Sequence, residues 1–341
     1  MITLGLCAIL AIVLVLPFAS KKIEHNLEVF LFVMGIAAAL IAKQMSGHLI
    51  EEALLEPIPI TLAVLAFGLL FKWGRTFLDQ FIQAALKKVS IPVFVFFLTL
   101  ILGMASSIIT AIIAALVLVE VISMLQLDKK HETDLVIIAC FAIGIGAVLT
   151  PIGEPLSTIA IAKLRSWPEV NFWYLAKLLG IEVFVAVLAL AILSIFFHGH
   201  LAKKGLEAEQ REEAYPQIFL RAGKVYLFVM ALVFLGQGFK PVIDTYVIQL
   251  SGDILYWINI TSAVLDNATL TAAEISPAMT PIQIKKLLMG LLIAGGMLIP
   301  GNIPNIIAAS KLKIKSKEWA KLGIPLGLIL MTIFFFILEM E

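Results

Sequence analysis

Charged side chains are scarce in this chain. Asp, Glu, Lys and Arg make up 14% of its 341 residues, whereas 61% are hydrophobic; soluble domains carry about 25% charged residues. The mean hydropathy of +1.04 is too high for one buried core, and the apolar residues form long blocks with short polar interruptions. This composition excludes a soluble enzyme, a nucleic-acid-binding protein and a disordered scaffold. It predicts an all-α polytopic membrane protein in contact with lipid.

Cysteines and cofactor motifs are also scarce. Cys7 and Cys140 are the two cysteines, and both fall inside apolar runs, which argues against disulfides, thiolate metal sites and redox chemistry. The sequence contains no ATP-binding P-loop, so any energy for transport must come from ion gradients. We therefore expect no enzymatic activity, no cofactor and no nucleic-acid partner.

The apolar blocks predict an internal repeat. Two spans within residues 1–57 precede a pattern that occurs twice: a span, an amphipathic helix, a re-entrant hairpin, a helix broken by Pro and Gly, and a plain span. The first copy covers residues 58–198, a cytoplasmic linker covers 199–221, and the second copy covers 222–341. The prediction is about eight full spans, two re-entrant hairpins and two broken transmembrane helices. The first hairpin has its predicted tip near Ser106. Two closely spaced transmembrane spans would also fit the apolar run that contains this residue.

The two copies match at the level of residues. The alignment sets Gly153 on Gly301, Glu154 on Asn302, Ser157 on Asn305 and Lys163 on Lys311, and upstream it sets Ser106 on Ser262 and Thr110 on Asp266. Each copy crosses the membrane an odd number of times, so the second copy is inverted relative to the first. Paired interruptions in inverted repeats are typical of secondary transporters, whose binding sites lie at these interruptions.

Positive charge predicts the orientation. With the N-terminus outside, 18 of the 25 Lys and Arg residues fall on the inner side. The outer seven are Lys43, Lys163, Arg165, Lys177, Lys240, Lys285 and Lys286. This bias predicts a multi-pass protein of the cell (inner) membrane with both termini outside.

The interruptions and hairpin tips predict a site rich in oxygen. A broken helix leaves backbone groups that only protein, water or an ion can satisfy, and such oxygens suit a small, hard cation such as Na⁺. The predicted cation- and proton-binding residues are Asp266, Glu154, Asn267, Asn302, Asn305, Ser157, Thr150, Ser262, Thr269, Ser106, Ser107 and Thr110. Among them, Asp266, Asn267, Glu154 and Asn302 are the predicted Na⁺ ligands.

Deep carboxylates predict the coupling. Asp266, Glu154 and Glu182 fall inside the membrane region, where a charge is costly, and no Lys or Arg is predicted at their depth. The balancing charge would then be a bound cation or a proton, and two acids in one site would repel an anion. Simpler roles exist: Asp266 as a helix cap, or Glu154 at a helix N-terminus. Whether Glu120, Glu182 and Glu274 take part is left open.

At this point the residues resemble a known group. Ser262-Ala-Val-Leu-Asp-Asn-Ala268 is similar to the S-x-x-x-D-N signature of the ion transporter superfamily, especially its sodium/proton antiporter (NhaD-type) and arsenite permease branches. Thr150-Pro-Ile-Gly-Glu-Pro155 and Pro300-Gly-Asn-Ile-Pro-Asn305 resemble the broken helices of that superfamily. The chain looks like a small branch described as cation transporters. It departs from the pattern at Thr110, which stands where the second copy has Asp266.

The resemblance implies a homodimer with an elevator mechanism, in which a transport domain moves against a scaffold. Together with the residues, it leads to a prediction of Na⁺ (or other cation)/H⁺ antiport. One alternative is a Na⁺-coupled symporter of an organic anion such as a di- or tricarboxylate. Two others are a permease for an arsenite-type oxyanion or oxyacid and a membrane scaffold without transport.

Overall fold

The computed structural model describes residues 2–20, 22–23, 26–125, 127–197, 215–242, 245–246, 250–265 and 267–340. Over these residues the protein is all-α and contains no β-strand. Three helices precede the first predicted repeat: α1 (Ile2–Ala19), α2 (Leu27–Ile41) and α3 (Gly47–Leu55).

The helices of the two predicted repeats follow the same order. The first contains α4 (Pro57–Leu86), α5 (Ile91–Ile109), α6 (Ala111–Met124), α7 (Lys129–Gly146), α8 (Pro155–Lys163) and α9 (Tyr174–Phe196). The second contains α10 (Tyr215–Val242), α11 (Gly252–Ile258), α12 (Asn267–Glu274), α13 (Pro281–Gly295), α14 (Ile303–Leu312) and α15 (Ser316–Glu339). Short 3₁₀ turns follow α7 and α11 and precede α14, at Ala147–Leu149, Asn259–Ala263 and Ile299–Gly301.

Within the described ranges, six helical segments are long and apolar enough to cross a membrane. They are Gly47–Gly74, Ile91–Ile109, Lys129–Leu149, Tyr174–Phe196, Tyr215–Val242 and Ser316–Glu339. Three apolar helices are shorter: Ile2–Pro17, Leu27–Ile41 and Ala111–Met124. The protein is thus a multi-span helical membrane protein by helix length and hydropathy.

Some boundaries differ from the sequence-based ones. The predicted third span and the amphipathic segment after it form one 30-residue helix, α4, because a single glycine, Gly74, does not end a helix. The first hairpin turns at Thr110, whose φ of 76° is left-handed, and not near Ser106. The end of the predicted linker belongs to α10, which begins at Tyr215.

The helices pack into two sets. One set joins α2, α3, α4 and α10, with α10 packed along α2 and α4. The other set contains two groups of three helices. In the first group α5, α7 and α9 pack on one another, and in the second both α11 and α15 pack on α13. The short helices cross over between the repeats, since α6 of the first packs on α14 of the second, and α12 of the second packs on α8 of the first.

Candidate functional site

The first helix break lies between α7 and α8. After the 3₁₀ turn the chain is extended at Thr150 and again at Glu154, which precedes Pro155 at the start of α8. The Gly153 carbonyl accepts a hydrogen bond from the Ala111 N–H at the start of α6, at 2.9 Å. A β-carbon at Gly153 would overlap the backbone of Ala147, so glycine is required there. The tip of the hairpin therefore docks directly onto the break.

The second break repeats this arrangement between α13 and α14. Asn302 is extended like Glu154, and a β-carbon at Gly301 would overlap the carbonyl oxygen of Gly295. The Asn305 side chain closes the break by donating to the carbonyls of Gly295 at 2.8 Å and Leu298 at 2.9 Å. Pro and Gly thus interrupt both helices at aligned positions.

Aligned serines attach each hairpin to its broken helix. Ser106 on α5 donates to the Ile143 carbonyl at 3.0 Å, and Ser262 donates to the Leu291 carbonyl at 3.1 Å. The Ser262 hydroxyl also lies against Oδ1 of Asn267, so its single proton is shared between these two acceptors. Since both acceptors lie on the helix before a break, the two hairpins are held in the same way.

The two breaks and the two hairpin tips enclose a central cavity. It is lined by Ala111, Ile112, Gly153, Glu154, Pro155, Leu156, Leu232, Asn267, Ala268, Gly301, Asn302 and Ile303. The space that the centres of water molecules can occupy in it is about 40 Å³. This is room for about three waters, or for a small ion with water. Glu154, Asn267 and Asn302, three of the four predicted Na⁺ ligands, are its polar side chains.

Four helix N-termini meet at this cavity, those of α6, α8, α12 and α14. Each N-terminus acts as roughly half a positive charge, so together they provide about two. Glu154 lies directly before α8 and is 8% exposed. The N-terminus of α8 therefore points its positive end at this side chain, and the cavity as a whole favours negative charge.

The predicted hydroxyl groups mostly stabilise the backbone around the cavity. Ser107 donates to the Met104 carbonyl at 2.9 Å, and Thr150 donates to the Ser107 carbonyl. Thr110 caps α6 by accepting from the Ile113 N–H at 3.3 Å. Ser157 is fully buried, and its hydroxyl has no hydrogen-bond partner among the described residues.

Two predicted site residues fall outside this description. Asp266, the predicted Na⁺ ligand at the second tip, lies outside the described residues, and so does the side chain of Thr269. Asn267, which follows Asp266, lines the cavity, and its Nδ2 atom has no hydrogen-bond partner in the part of the chain that the structure describes.

The expectation that no lysine lies at the depth of the acids is wrong for Glu182. Its carboxylate is 2.7 Å from Nζ of Lys285, and both side chains are largely buried. Glu120 on α6 is paired in the same way with Lys311 on α14, also at 2.7 Å. These pairs join helices that are far apart in sequence, so the sequence alone gave no signal for them.

Two glycines that the sequence-based reasoning missed make room for the asparagines. A β-carbon at Gly144 would overlap the Asn302 amide, and one at Gly295 would lie 2.7 Å from Nδ2 of Asn267. Both glycines precede a break on α7 or α13. The Gly-x-Gly at 144–146 and the Gly-Gly at 295–296 were the sequence features that could have indicated this close packing.

The fold and the site define a polytopic helical membrane protein in which two interrupted helices surround a small polar cavity. No curated protein matches the sequence. A family model does match, over residues 3–340, and its description is a protein of unknown function, DUF1646. The chain therefore belongs to the DUF1646 family.

Proposed function

We propose that the protein is a secondary active transporter whose central cavity exchanges Na⁺, or another monovalent cation, for protons. The observation that carries the proposal is the buried Glu154 carboxyl in a cavity shared with Asn267 and Asn302. The Glu154 carboxyl can take up a proton, and two side-chain amides line the same cavity, so one small space brings a proton acceptor and oxygen ligands together. Carboxylate and amide oxygens are ligands suited to hard cations, so Na⁺ and H⁺ would compete for Glu154.

We propose further that the chain consists of two inverted-topology repeats. The serine contacts support this, because Ser106 and Ser262 are aligned residues, and their acceptors Ile143 and Leu291 each lie ten residues before an aligned glycine, Gly153 or Gly301. The crossed packing of α6 on α14 and of α12 on α8 also fits a two-fold relation between the copies. The short legs α11 and α12 support re-entry of the second hairpin, since about 20 residues are needed to span.

The elevator mechanism and the homodimer are part of the same proposal. The set formed by α2, α3, α4 and α10 would serve as the scaffold, and the set with the hairpins and broken helices would move. Both termini would be outside. The ion pairs of Lys286 with Asp253 and Glu339 are consistent with all three residues lying on the same side of the membrane.

The test uses purified protein in liposomes with a pH dye inside. Na⁺, Li⁺, K⁺ or Ca²⁺ is added outside, and we expect one of them to change the internal pH. The response should be lost in Glu154→Gln and Asp266→Asn and kept in Glu51→Gln, which changes an exposed carboxylate on α3. No pH response to any of these cations in the wild type would refute antiport.

A second candidate is Na⁺-coupled symport of an organic anion. The four helix N-termini at the cavity favour this candidate, because helix N-termini bind anionic groups. Uptake of labelled di- or tricarboxylates driven by a Na⁺ gradient, without cation-driven proton movement, would identify it.

A further inference from the structure

A second group of polar residues lies away from the central cavity, at the far end of α12. Glu274 is the last residue of that helix and is 2% exposed, while Asn259 and Thr271 are fully buried. The Asn259 amide lies next to the Glu274 carboxyl, and Thr271 is one turn before Glu274, on the same face of α12. The residues that line the central cavity include none of these three.

Their oxygens lack hydrogen bonds within the described part of the chain. This holds for both carboxylate oxygens of Glu274, for Oδ1 of Asn259 and for Oγ1 of Thr271. The Asn259 amide is oriented by its Nδ2, which donates to the Leu287 carbonyl at 3.3 Å, so the unpaired atom is an oxygen. Buried polar atoms without partners are rare and costly.

Each repeat carries a buried acid on the second helix of its hairpin, and among the described residues only that of the first repeat is paired with a lysine. Glu120 on α6 is neutralised by Lys311 at the end of α14. The pair α12 and α8 packs in the equivalent way, and α8 ends at Lys163, about as far from the cavity as Glu274. Lys163 is nevertheless exposed, and no ion pair joins it to Glu274 within the described ranges. An ionised Glu274 would therefore need a positive partner other than Lys163.

We propose that Asn259, Thr271 and Glu274 form a second cation site, the α12 site, which binds a monovalent cation such as Na⁺. Four unpaired oxygens of carboxylate, amide and hydroxyl type are the ligands that a hard cation takes. A single carboxylate is neutralised by a single positive charge, whereas a divalent ion would leave a net charge buried. The site is separate from the central cavity, and it does not depend on the proposed antiport.

The test measures binding of radioactive Na⁺ to the purified full-length protein in detergent. We expect Glu274→Gln to bind one Na⁺ fewer per chain than the wild type. Glu154→Gln should keep the α12 site, so failure of the proposed function and failure of this proposal give different results. Glu51→Gln is the matched control and should bind as the wild type does.

Equal Na⁺ binding by Glu274→Gln and the wild type would overturn the proposal. If Glu274→Gln bound Na⁺ equally and differed from the wild type only in its response to pH, Glu274 would bind a proton and not a cation. Because Glu274→Gln could fail to fold, Thr271→Val provides a second variant of nearly the same shape. It removes one ligand oxygen, and we expect it to weaken Na⁺ binding at this site roughly tenfold or more. Unchanged affinity in a folded Thr271→Val protein would also overturn the proposal.

Discussion

The contact between α5 and α7 gives the sharpest test of the packing around the site. Gly146 on α7 faces the backbone of Gly103 on α5, and a β-carbon at Gly146 would overlap the Gly103 carbonyl. It would lie 2.6 Å from the carbonyl carbon and 3.1 Å from Oγ of Ser106. Because the obstacle is backbone, a rotamer change cannot relieve it, and Gly146→Ala would have to push the two helices apart by roughly 1 Å.

The expected cost follows from what that displacement breaks. Overpacking of a core costs about 1–3 kcal/mol. Lengthening the bond from Ser106 to the Ile143 carbonyl, now 3.0 Å, would add up to about 1 kcal/mol, because the hydroxyl keeps its bond to the Gly103 carbonyl. Alanine regains up to about 1 kcal/mol of helix propensity. We therefore expect Gly146→Ala to lower the free energy of unfolding by about 2 kcal/mol.

Gly180→Ala is the matched control. Gly180 lies within α9, and a β-carbon there would meet nothing within 4 Å, so we expect a gain of about 0.5–1 kcal/mol. Both variants would be compared in detergent by unfolding with increasing sodium dodecyl sulfate. If Gly146→Ala were as stable as Gly180→Ala, the close approach of α5 and α7 would be refuted.

Three further predictions concern stability, each measured by the same titration. Lys285→Met should cost about 3–5 kcal/mol because it leaves Glu182 buried without its partner, and the double variant Lys285→Met with Glu182→Leu should recover most of that loss. Asn305→Ala removes two buried hydrogen bonds to carbonyls, and we expect it to lower the free energy of unfolding by about 2–3 kcal/mol. If Asn305→Ala lowered this free energy by less than Thr150→Val does, the role of Asn305 in closing the break would be contradicted. Thr150→Val should cost about 1–2 kcal/mol, since it frees one buried carbonyl, and no change would show that this bond does not matter.

Local sequence signals predicted the long apolar helices and the two breaks, but not every helix boundary. Pro151 and Gly153 in the first copy, and Pro300 and Gly301 in the second, interrupt helices through their own backbone limits, whatever surrounds them. The first hairpin tip was harder to predict. Ser106 can bond within its helix, as it does to the Gly103 carbonyl at 2.6 Å, so a serine does not mark a turn.

The partners of buried groups could not be predicted from the sequence. Glu182 and Lys285 lie on α9 and α13, and Glu120 and Lys311 on α6 and α14. Their pairing depends on which repeat packs on which, and hydropathy carries no information about that. Three of the four predicted Na⁺ ligands line one cavity, because the internal alignment located both breaks and the residues around the second tip.

The crossed packing has a consequence for how the chain is made. The helix α6 is synthesised early, but its neighbour α14 and the partner of Glu120, Lys311, come near the C-terminus. The first half therefore enters the bilayer before the partner of Glu120 exists, and this acid stays without that partner until α14 has been synthesised. A chain that stops before α14 would keep this defect, and the membrane quality-control machinery could recognise it by that unpaired charge.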